Sequence, residues 1–551
     1  MRATQWFIRK SVFLILLVLL QAAFGLTVHA ETQNHSKSRS ESEAIQCTIL
    51  FFNDIHGHLK PFPVKEQGQK IEMGGIARMA TLVQNIRTEN SRKNIPTFCL
   101  LAGDILQGPP MSTIFKGEPD VKCFNLMGIN AMTVGNHEFD FGLDNLLKLM
   151  EAATFPFLSA NIVLKDTREM LCRPMVAMPL APGIDLNVIG VTTNDLLFTT
   201  HPKNTPDIYV QDPVEAVQAI YQAVEAKGPV ILLSHNKAAV DKAIAERLPG
   251  LTAIIGGHDQ ILLNPPRMEG SVSVFQAFEK GKYLGRIDLS VDPATRRGEI
   301  TRWSYTAITS EIPENTAVAS VVMEYDNQLD KKFHEVIGET SVYLNGDRGT
   351  VRYQETNMGN LITDIMKNFS GSDIALLNAG SIRSGIDIGP ITLEEVYSAF
   401  PFENELVVVN ISGADLLAAL TRAVKGRRAD EDGGFLHISG LTFKIKNATP
   451  QDILINGLPL DPIATYRTAI SDFIASGGDG YTLFRDKIPY RSGSMIRELV
   501  VQAIRNQKTI SPATDGRIQR LDETSRVLKK NIRTGWNSSL SWNRSLVIFI
   551  S

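Results

Sequence analysis

The sequence predicts an α/β fold in two units, and three observations carry that reading. At 551 residues, 43% of them hydrophobic, the chain is too long for one core and comfortable for two. From residue 45 to about 310, short apolar runs alternate with segments of helical period. Near residue 313 the composition shifts, and a second α+β pattern follows. The formal net charge of −3 excludes a strongly basic protein, so no nucleic-acid polymer is expected as partner. Small anionic ligands remain compatible with it.

The elements follow in order. "MRATQWFIRK" carries three basic residues, "SVFLILLVLLQAAFGL" is apolar, and "VHA" offers small residues at Val28 and Ala30. This is the pattern of a secretory signal over 1–30, cleaved before Glu31. The apolar run falls short of the ~20 residues a spanning helix needs, and no cysteine stands at the cleavage point. An exported protein, periplasmic or secreted, is expected, with a polar linker over 31–44. Export permits disulfides, and Cys47, Cys99, Cys123 and Cys172 allow three pairings. Cys99, inside "TFCLLAGD", reads equally as a core thiol.

In the first unit, 45–312, the expected strands are "CTILFF", "PTFCLLAG", "AMTVG", "LNVIGV", "PVILLS" and "LTAIIGG". Helices are expected at "GGIARMATLVQNIRTEN" and "VEAVQAIYQAVEA". Residues 313–336 read as one amphipathic linker helix. The second unit, 337–521, offers a helix at "NMGNLITDIMKNF", strands at "ELVVVNI" and "LTFKIK", and a Gly-rich loop, "SGGDGY". The tail over 522–551 is polar, and its apolar patch "LVIFI" is too short to span a membrane.

The chemistry collects where strands end. The apolar runs of the first unit lead into Asp54 and His56, Asp104, Asn136 and His137, His235, and His258 and Gln260. In α/β sheets the carboxyl edge is where ligands bind. Asp54 and His56, like His258 and Gln260, are spaced i, i+2, which on extended backbone puts both side chains on one face. Imidazole, carboxylate and amide oxygen together suit Mn, Zn, Fe, Co or Ni better than calcium. Seven candidate ligands exceed one tetrahedral ion and fit two ions about 3.5–4 Å apart. Asp104, alone after its strand, is the natural bridge. In "GNHEFD", Asn136 can face a metal while His137 points away over a substrate, and Asp140 can fix the His137 tautomer.

The ordered set "FFNDIHGHL", "LLAGDILQG", "GNHEFDFG", "SH" and "GGHDQ" resembles the two-metal, calcineurin-like phosphoesterase superfamily, and within it the exported bacterial 5'-nucleotidase family. The resemblance covers nearly all of residues 46–520. It implies a four-layered αββα domain joined by the linker helix to an α+β substrate-binding domain. It implies two divalent ions, from among Zn, Mn, Co, Fe or Mg. Asp54, His56, Asp104 and Gln260 would hold one; Asp104, Asn136, His235 and His258 would hold the other. His137 and Asp140 look like its catalytic dyad, Glu138 reads as structural, and His58 as at most a neighbour of the ligands. "SHNK" departs from the "H-x-G" run often found at the fifth ligand.

In the second unit, Arg348, Arg352 and Arg383 are side chains that fork onto carboxylate or phosphate. Phe402 and Phe473 are two aromatics that can sandwich a flat base. The resemblance implies that base clamp, and contacts from Asn378, Arg352, Arg383 and Asp479 to ribose or phosphate. Arg348 and Gly380 belong to the same motifs, and Asn357 and Gly359 in "ETNMGN" are expected to shape the wall. The expected activity is hydrolysis of nucleoside 5'-phosphates, by hydroxide held on two metals, in an exported monomer. Alternatives are a 2',3'-cyclic phosphodiesterase/3'-nucleotidase, a UDP-sugar hydrolase, and a non-catalytic binding protein.

Overall fold

Along the strand Ile45–Phe52, Cys47, Ile49 and Phe51 enter one apolar cluster, and Leu50 and Phe52 enter another. That alternation is what a strand buried on both faces requires. The computed structural model describes residues 44–66, 69–329 and 331–521. The expected leader (1–30), the linker up to residue 43 and the tail (522–551) lie outside the described residues.

Two six-stranded sheets stack face to face. The first runs Gly298–Ala307, Tyr283–Val291, Ile45–Phe52, Thr97–Leu101, Ala131–Thr133, Phe157–Leu158. The second runs Arg267–Glu269, Val272–Phe275, Ala253–Gly256, Val230–His235, Ile184–Thr192, Met175–Ala181. Phe51, Leu100 and Ala131 of the first sheet meet Val188, Leu233 and Ile255 of the second in one buried cluster. The outer faces are covered by helices, Ile76–Ser91 on the first sheet and Pro213–Val224 with Ala238–Arg247 on the second. This is the four-layered αββα arrangement. The central strands of each sheet are parallel, so their carboxyl ends share one edge.

The linker is shorter than expected. Asn315 caps a helix of 13 residues, Thr316–Gln328, its side chain accepting from the backbone N–H of Ala317 and Val318. Leu329 turns out of the helix, a 3₁₀ turn follows at Lys331–His334, and Val336 opens a strand. Val318 and Tyr325 join the first lobe's core, so the helix is part of that lobe's packing.

The second lobe centres on a five-stranded sheet ordered Leu436–Ser439, Ile374–Asn378, Thr465–Ser471, Glu405–Ser412, Tyr490–Met495. The helix Asn357–Ser370 packs on it, capped by Thr356 and ended by left-handed Gly371. Ser412 with Asp415 forms a reciprocal capping box on Gly413–Ala423. All four cysteines are unpaired and buried, and burial pushes the Cys99 thiol up to about 12. Among the described residues no helix is long and apolar enough to cross a membrane.

Candidate functional site

Every expected metal ligand lies at the shared edge of the two sheets. Asp54 and His56 follow Ile45–Phe52, Asp104 follows Thr97–Leu101, and Asn136 follows Ala131–Thr133. From the facing sheet, His235 ends Val230–His235, and His258 and Gln260 follow Ala253–Gly256. The backbone that presents them is not the extended chain the i, i+2 spacing suggests. Asp54 (φ 50°), His56 (φ 46°), Asp104 (φ 54°), His258 (φ 71°) and Gln260 (φ 57°) are all left-handed. Each such residue with a Cβ costs roughly 1–2 kcal/mol. Strain of this kind persists where the surroundings over-determine it and collects at functional sites. The shared direction of each pair therefore comes from tight turns after the strand.

The side chains form two groups joined by Asp104. In one, His56 Nε2 lies 3.7 Å from Asp54 Oδ1 and 3.9 Å from Asp104 Oδ2, and the Gln260 carboxamide meets it at 2.6 Å. In the other, His235 Nε2 lies 3.1 Å from Asp104 Oδ2, and His258 Nδ1 lies 3.3 Å from His235 Nε2 and 3.1 Å from Asn136 Oδ1. Backbone carbonyls hold the far ring nitrogens: Leu106 O faces His56 Nδ1 at 3.1 Å, and Ala102 O faces His235 Nδ1 at 2.8 Å. That leaves both Nε2 atoms aimed into the cluster.

The donor set fits two divalent cations. Asp54 and Asp104 are buried, and among the described residues neither forms an ion pair with Lys or Arg. Burial pushes the Asp54 carboxyl up to about 7. Burial alone would lower the His235 imidazole, but the Asp104 carboxylate draws it up to about 10. Buried carboxylates with no Lys or Arg partner, ringed by imidazole and carboxamide, are what a pair of metal ions balances.

"GNHEFD" turns as a 3₁₀ helix over His137–Phe139. The turn sets His137 and Asp140 three residues apart on one side, with His137 Nδ1 2.6 Å from Asp140 Oδ2. The N–H donates to the carboxylate, so Nε2 is the ring nitrogen left for chemistry, 4.0 Å from Asp104 Oδ2. Burial raises the Asp140 carboxyl while His137 opposes it. His137 is also within ligand distance of the group containing His56 and Asp104. Its ring bonds Asp140 and lines the cavity beside Asp104 and Asn136. Glu138 accepts from the backbone N–H of Asp104 at 3.0 Å, Ile105 at 2.8 Å and Gly135 at 2.5 Å, tying two ligand loops together. Gly135 is needed there, because any Cβ would strike Asp104 Oδ1. His58 Nδ1 meets His56 O at 2.7 Å and touches no expected ligand side chain in that bond.

Above the cluster opens a cavity of about 1200 Å³. Its lining includes Asp104, Asn136, His137, Asp140, His258 and Gln260 from the first lobe. From the second lobe it includes Arg348, Arg352, Asn378, Gly380, Arg383, Phe402, Phe473 and Asp479. Asp54, His56 and His235 lie beneath its floor. Arg348 reaches the floor directly, Nη1 donating to Gln260 Oε1 at 2.7 Å. Arg352 and Arg383 are half-buried near it, and desolvation together with Arg348 lowers both guanidinium pKa values. Phe402 faces His137 at 6.0 Å between ring centroids, and Phe473 faces His201 at 6.2 Å. Phe473 also belongs to the second lobe's core, so it lines the cavity from a packed position. The Gly-rich loop makes this possible: a Cβ on Gly478 would strike the Phe473 ring. The next residue, Asp479, is left-handed (φ 49°) and accepts from Asn378 Nδ2 at 2.7 Å.

Asn357 and Gly359 do not line the cavity, correcting the sequence expectation. Asn357 ties the chain start of its helix to Asn345 N and Tyr343 O, and Gly359 gives room to the buried His437 ring. Asp195 and His201 are among the cavity residues outside that expectation. Asp195 follows the strand Ile184–Thr192, and its Oδ1 lies 3.8 Å from His258 Nε2 while Lys237 pairs with its Oδ2 at 2.5 Å. "LNVIGV" is an expected strand, and the residues after it, Thr192 to Asp195, carry the signal. His201, 3.5 Å from Asp472 Oδ2, joins the lobes beside Phe473.

The fold and this site define a calcineurin-like phosphoesterase with an added C-terminal lobe. Residues 47–261 match the family model described as calcineurin-like phosphoesterase, and residues 336–486 match that of the 5'-nucleotidase C-terminal domain. Protein UshA of Escherichia coli K12 is 31% identical over 87% of this chain and 94% of its own length. The human protein named 5'-nucleotidase is 30% identical over 86% of this chain and 91% of its own. The crystal structure of a 5'-nucleotidase precursor from Thermus thermophilus superposes with a TM-score of 0.79 at 31% identity, covering 87% of this chain and 99% of that one. The chain belongs to the 5'-nucleotidase family that includes UshA.

Proposed function

We propose that this chain is an exported, monomeric, two-metal hydrolase that converts nucleoside 5'-phosphates to nucleoside and orthophosphate. One observation carries the reading: a floor of metal-ligand chemistry and a wall of three guanidiniums and two phenyl rings line the same cavity. The names of the relatives, UshA and 5'-nucleotidase, support it.

Asp54, His56, Asp104 and Gln260 would hold one ion, and Asp104, Asn136, His235 and His258 the other, with Asp104 between them. When bound, such ions neutralise phosphoryl charge and lower the pKa of water toward neutrality. The protein's own groups do the rest. Arg348, Arg352 and Arg383 present donors to the phosphoryl oxygens. Phe402 and Phe473 hold the base, and Asn378 with Asp479 the ribose, so that the ester meets the floor in one orientation. Asp140 keeps the His137 proton on Nδ1 and steadies the ring, and His137 Nε2 serves the leaving oxygen.

The test is a substrate panel with purified, metal-reconstituted protein: AMP, UMP, 3'-AMP, 2',3'-cyclic AMP and UDP-glucose. The reading requires the 5'-monophosphates to be turned over best. Preference for 3'-AMP or the cyclic ester would overturn it in favour of the phosphodiesterase branch.

A further inference from the structure

Three consecutive acidic residues, Asp430, Glu431 and Asp432, line the cavity, and each takes a different arginine. Asp430 Oδ1 accepts from Arg427 Nη2 at 2.7 Å, a local pair three residues apart. Asp432 accepts from both terminal nitrogens of Arg422, at 2.6 and 3.1 Å, and from the backbone N–H of Gly434 at 2.9 Å. These two anchor the loop on both sides within the second lobe.

Glu431 is directed elsewhere. Its Oε2 accepts from Arg348 Nε at 2.6 Å, and its backbone carbonyl accepts from Arg352 Nη1 at 3.0 Å. Its backbone is left-handed, φ 42° and ψ 47°, which an L residue adopts only when something holds it there. One residue thus engages two of the three clustered guanidiniums, one by side chain and one by main chain. Glu431 gives Arg348 a single negative charge on the Nε edge, while Arg348 Nη1 goes to Gln260 Oε1. Arg383, the third guanidinium, sits over the Phe402 ring at 5.8 Å.

We propose that Glu431 is a resident counter-charge in the phosphate subsite, which weakens the hold on free orthophosphate and so promotes product release. The proposal rests on the reading above that these arginines receive the phosphoryl group. A phosphate on Arg348 shares its guanidinium with a carboxylate of the same sign, and the two repel. A nucleotide offsets that repulsion with its base and ribose contacts. Orthophosphate has neither and leaves.

The test compares Glu431→Gln, which keeps size and acceptor but removes the charge, with Glu431→Asp, which keeps the charge. AMP hydrolysis is inhibited with orthophosphate and, separately, with adenosine. In Glu431→Gln the orthophosphate inhibition constant should fall about tenfold, the scale of one like charge at a half-exposed site. The adenosine constant should stay at its wild-type value, and Glu431→Asp should return the orthophosphate constant toward wild type. In metal-free protein, orthophosphate should raise the Tm of Glu431→Gln more than that of wild type. An unchanged or weaker grip on orthophosphate in Glu431→Gln would mean Glu431 only positions Arg348, and would overturn the proposal. So would Glu431→Asp behaving like Glu431→Gln. If wild type neither hydrolyses AMP nor is inhibited by orthophosphate, the underlying reading of the site falls with it.

Discussion

In the first lobe, Asp54, His56, Asp104 and His235 are at most 2% exposed and are held on left-handed or strand-end backbone by main-chain bonds. In the second lobe, the Arg348 side chain keeps 26% of its surface and Phe402 is half-buried. The floor comes from strand ends of two stacked sheets, and the wall from loops, one-turn helices and 3₁₀ turns. The contrast teaches a division of labour. Charge that must be held rigidly is sealed in strained turns, where burial strengthens every electrostatic contact. On the wall, Arg348 and Phe402 sit where water still reaches, while Phe473 is packed. Changes on the floor should then abolish chemistry, and changes on the wall should shift preference among substrates.

The largest effect belongs to Asp104→Ala. The carboxylate joins both ligand groups and accepts from the His137 backbone N–H at 3.0 Å. Activity should be lost almost entirely, with at least one metal lost per chain by elemental analysis and the circular dichroism retained. Two metals per chain in this variant would remove Asp104 from the bridge and break the comparison at its centre.

Second is His137→Ala, a floor residue that is not a ligand in this reading. Both metals should stay, and the chemical step should slow by roughly 10²–10⁴-fold. p-Nitrophenyl phosphate should suffer less than AMP, because its leaving group needs no proton. Equal losses would assign His137 to charge stabilisation instead.

The floor is largely legible in the sequence, because each ligand directly follows an apolar run that can only be a buried strand. The left-handed turns are not, since Asp, His and Gln do not encode φ in the way a glycine does. Asp195 escapes notice because its strand end carries two threonines and an asparagine before the carboxylate, with no His or Gly to mark it. The wall is legible only where Arg and Phe recur in short motifs. The acidic run 430–432 carries no motif that names its partners, and only folding shows that each carboxylate has a chosen guanidinium. The linker is overdrawn in the sequence because helical periodicity runs beyond Leu329, where the backbone turns out.

The third prediction moves to the wall. Phe402→Ala and Phe473→Ala should each lower kcat/KM for AMP roughly ten- to a hundredfold, from stacking worth ~1–3 kcal/mol. Hydrolysis of p-nitrophenyl phosphate should be spared, and the two losses should not add, since both rings grip one base. Phe473→Ala should also cost some stability, because that ring is core as well as wall. An unchanged ratio of AMP to p-nitrophenyl phosphate rates would reduce both rings to packing.

The smallest effect tests burial itself. Asp120, on Glu118–Met127, is buried in the first lobe, and burial, with the Glu138 carboxyl adding to it, raises its carboxyl to about 7. The folded chain therefore keeps a proton that the unfolded chain loses above about pH 3.9. Stability from this group is present below that pH and is lost as pH rises toward 7. Asp120→Asn should flatten the fall of Tm between pH 4 and pH 7 and raise stability at pH 8 by on the order of 2 kcal/mol, with metal content unchanged. A Tm profile as steep as wild type would show that this carboxyl is not what titrates.

The central claim is that floor and wall serve one reaction. It is tested most directly by following AMP as the metal-free protein is titrated with a divalent ion. The account predicts adenosine and orthophosphate in equal amounts, at a rate that climbs until two ions are bound per chain and vanishes when they are chelated. Protein that holds two ions and leaves AMP intact, or that hydrolyses AMP undiminished after chelation, would contradict it.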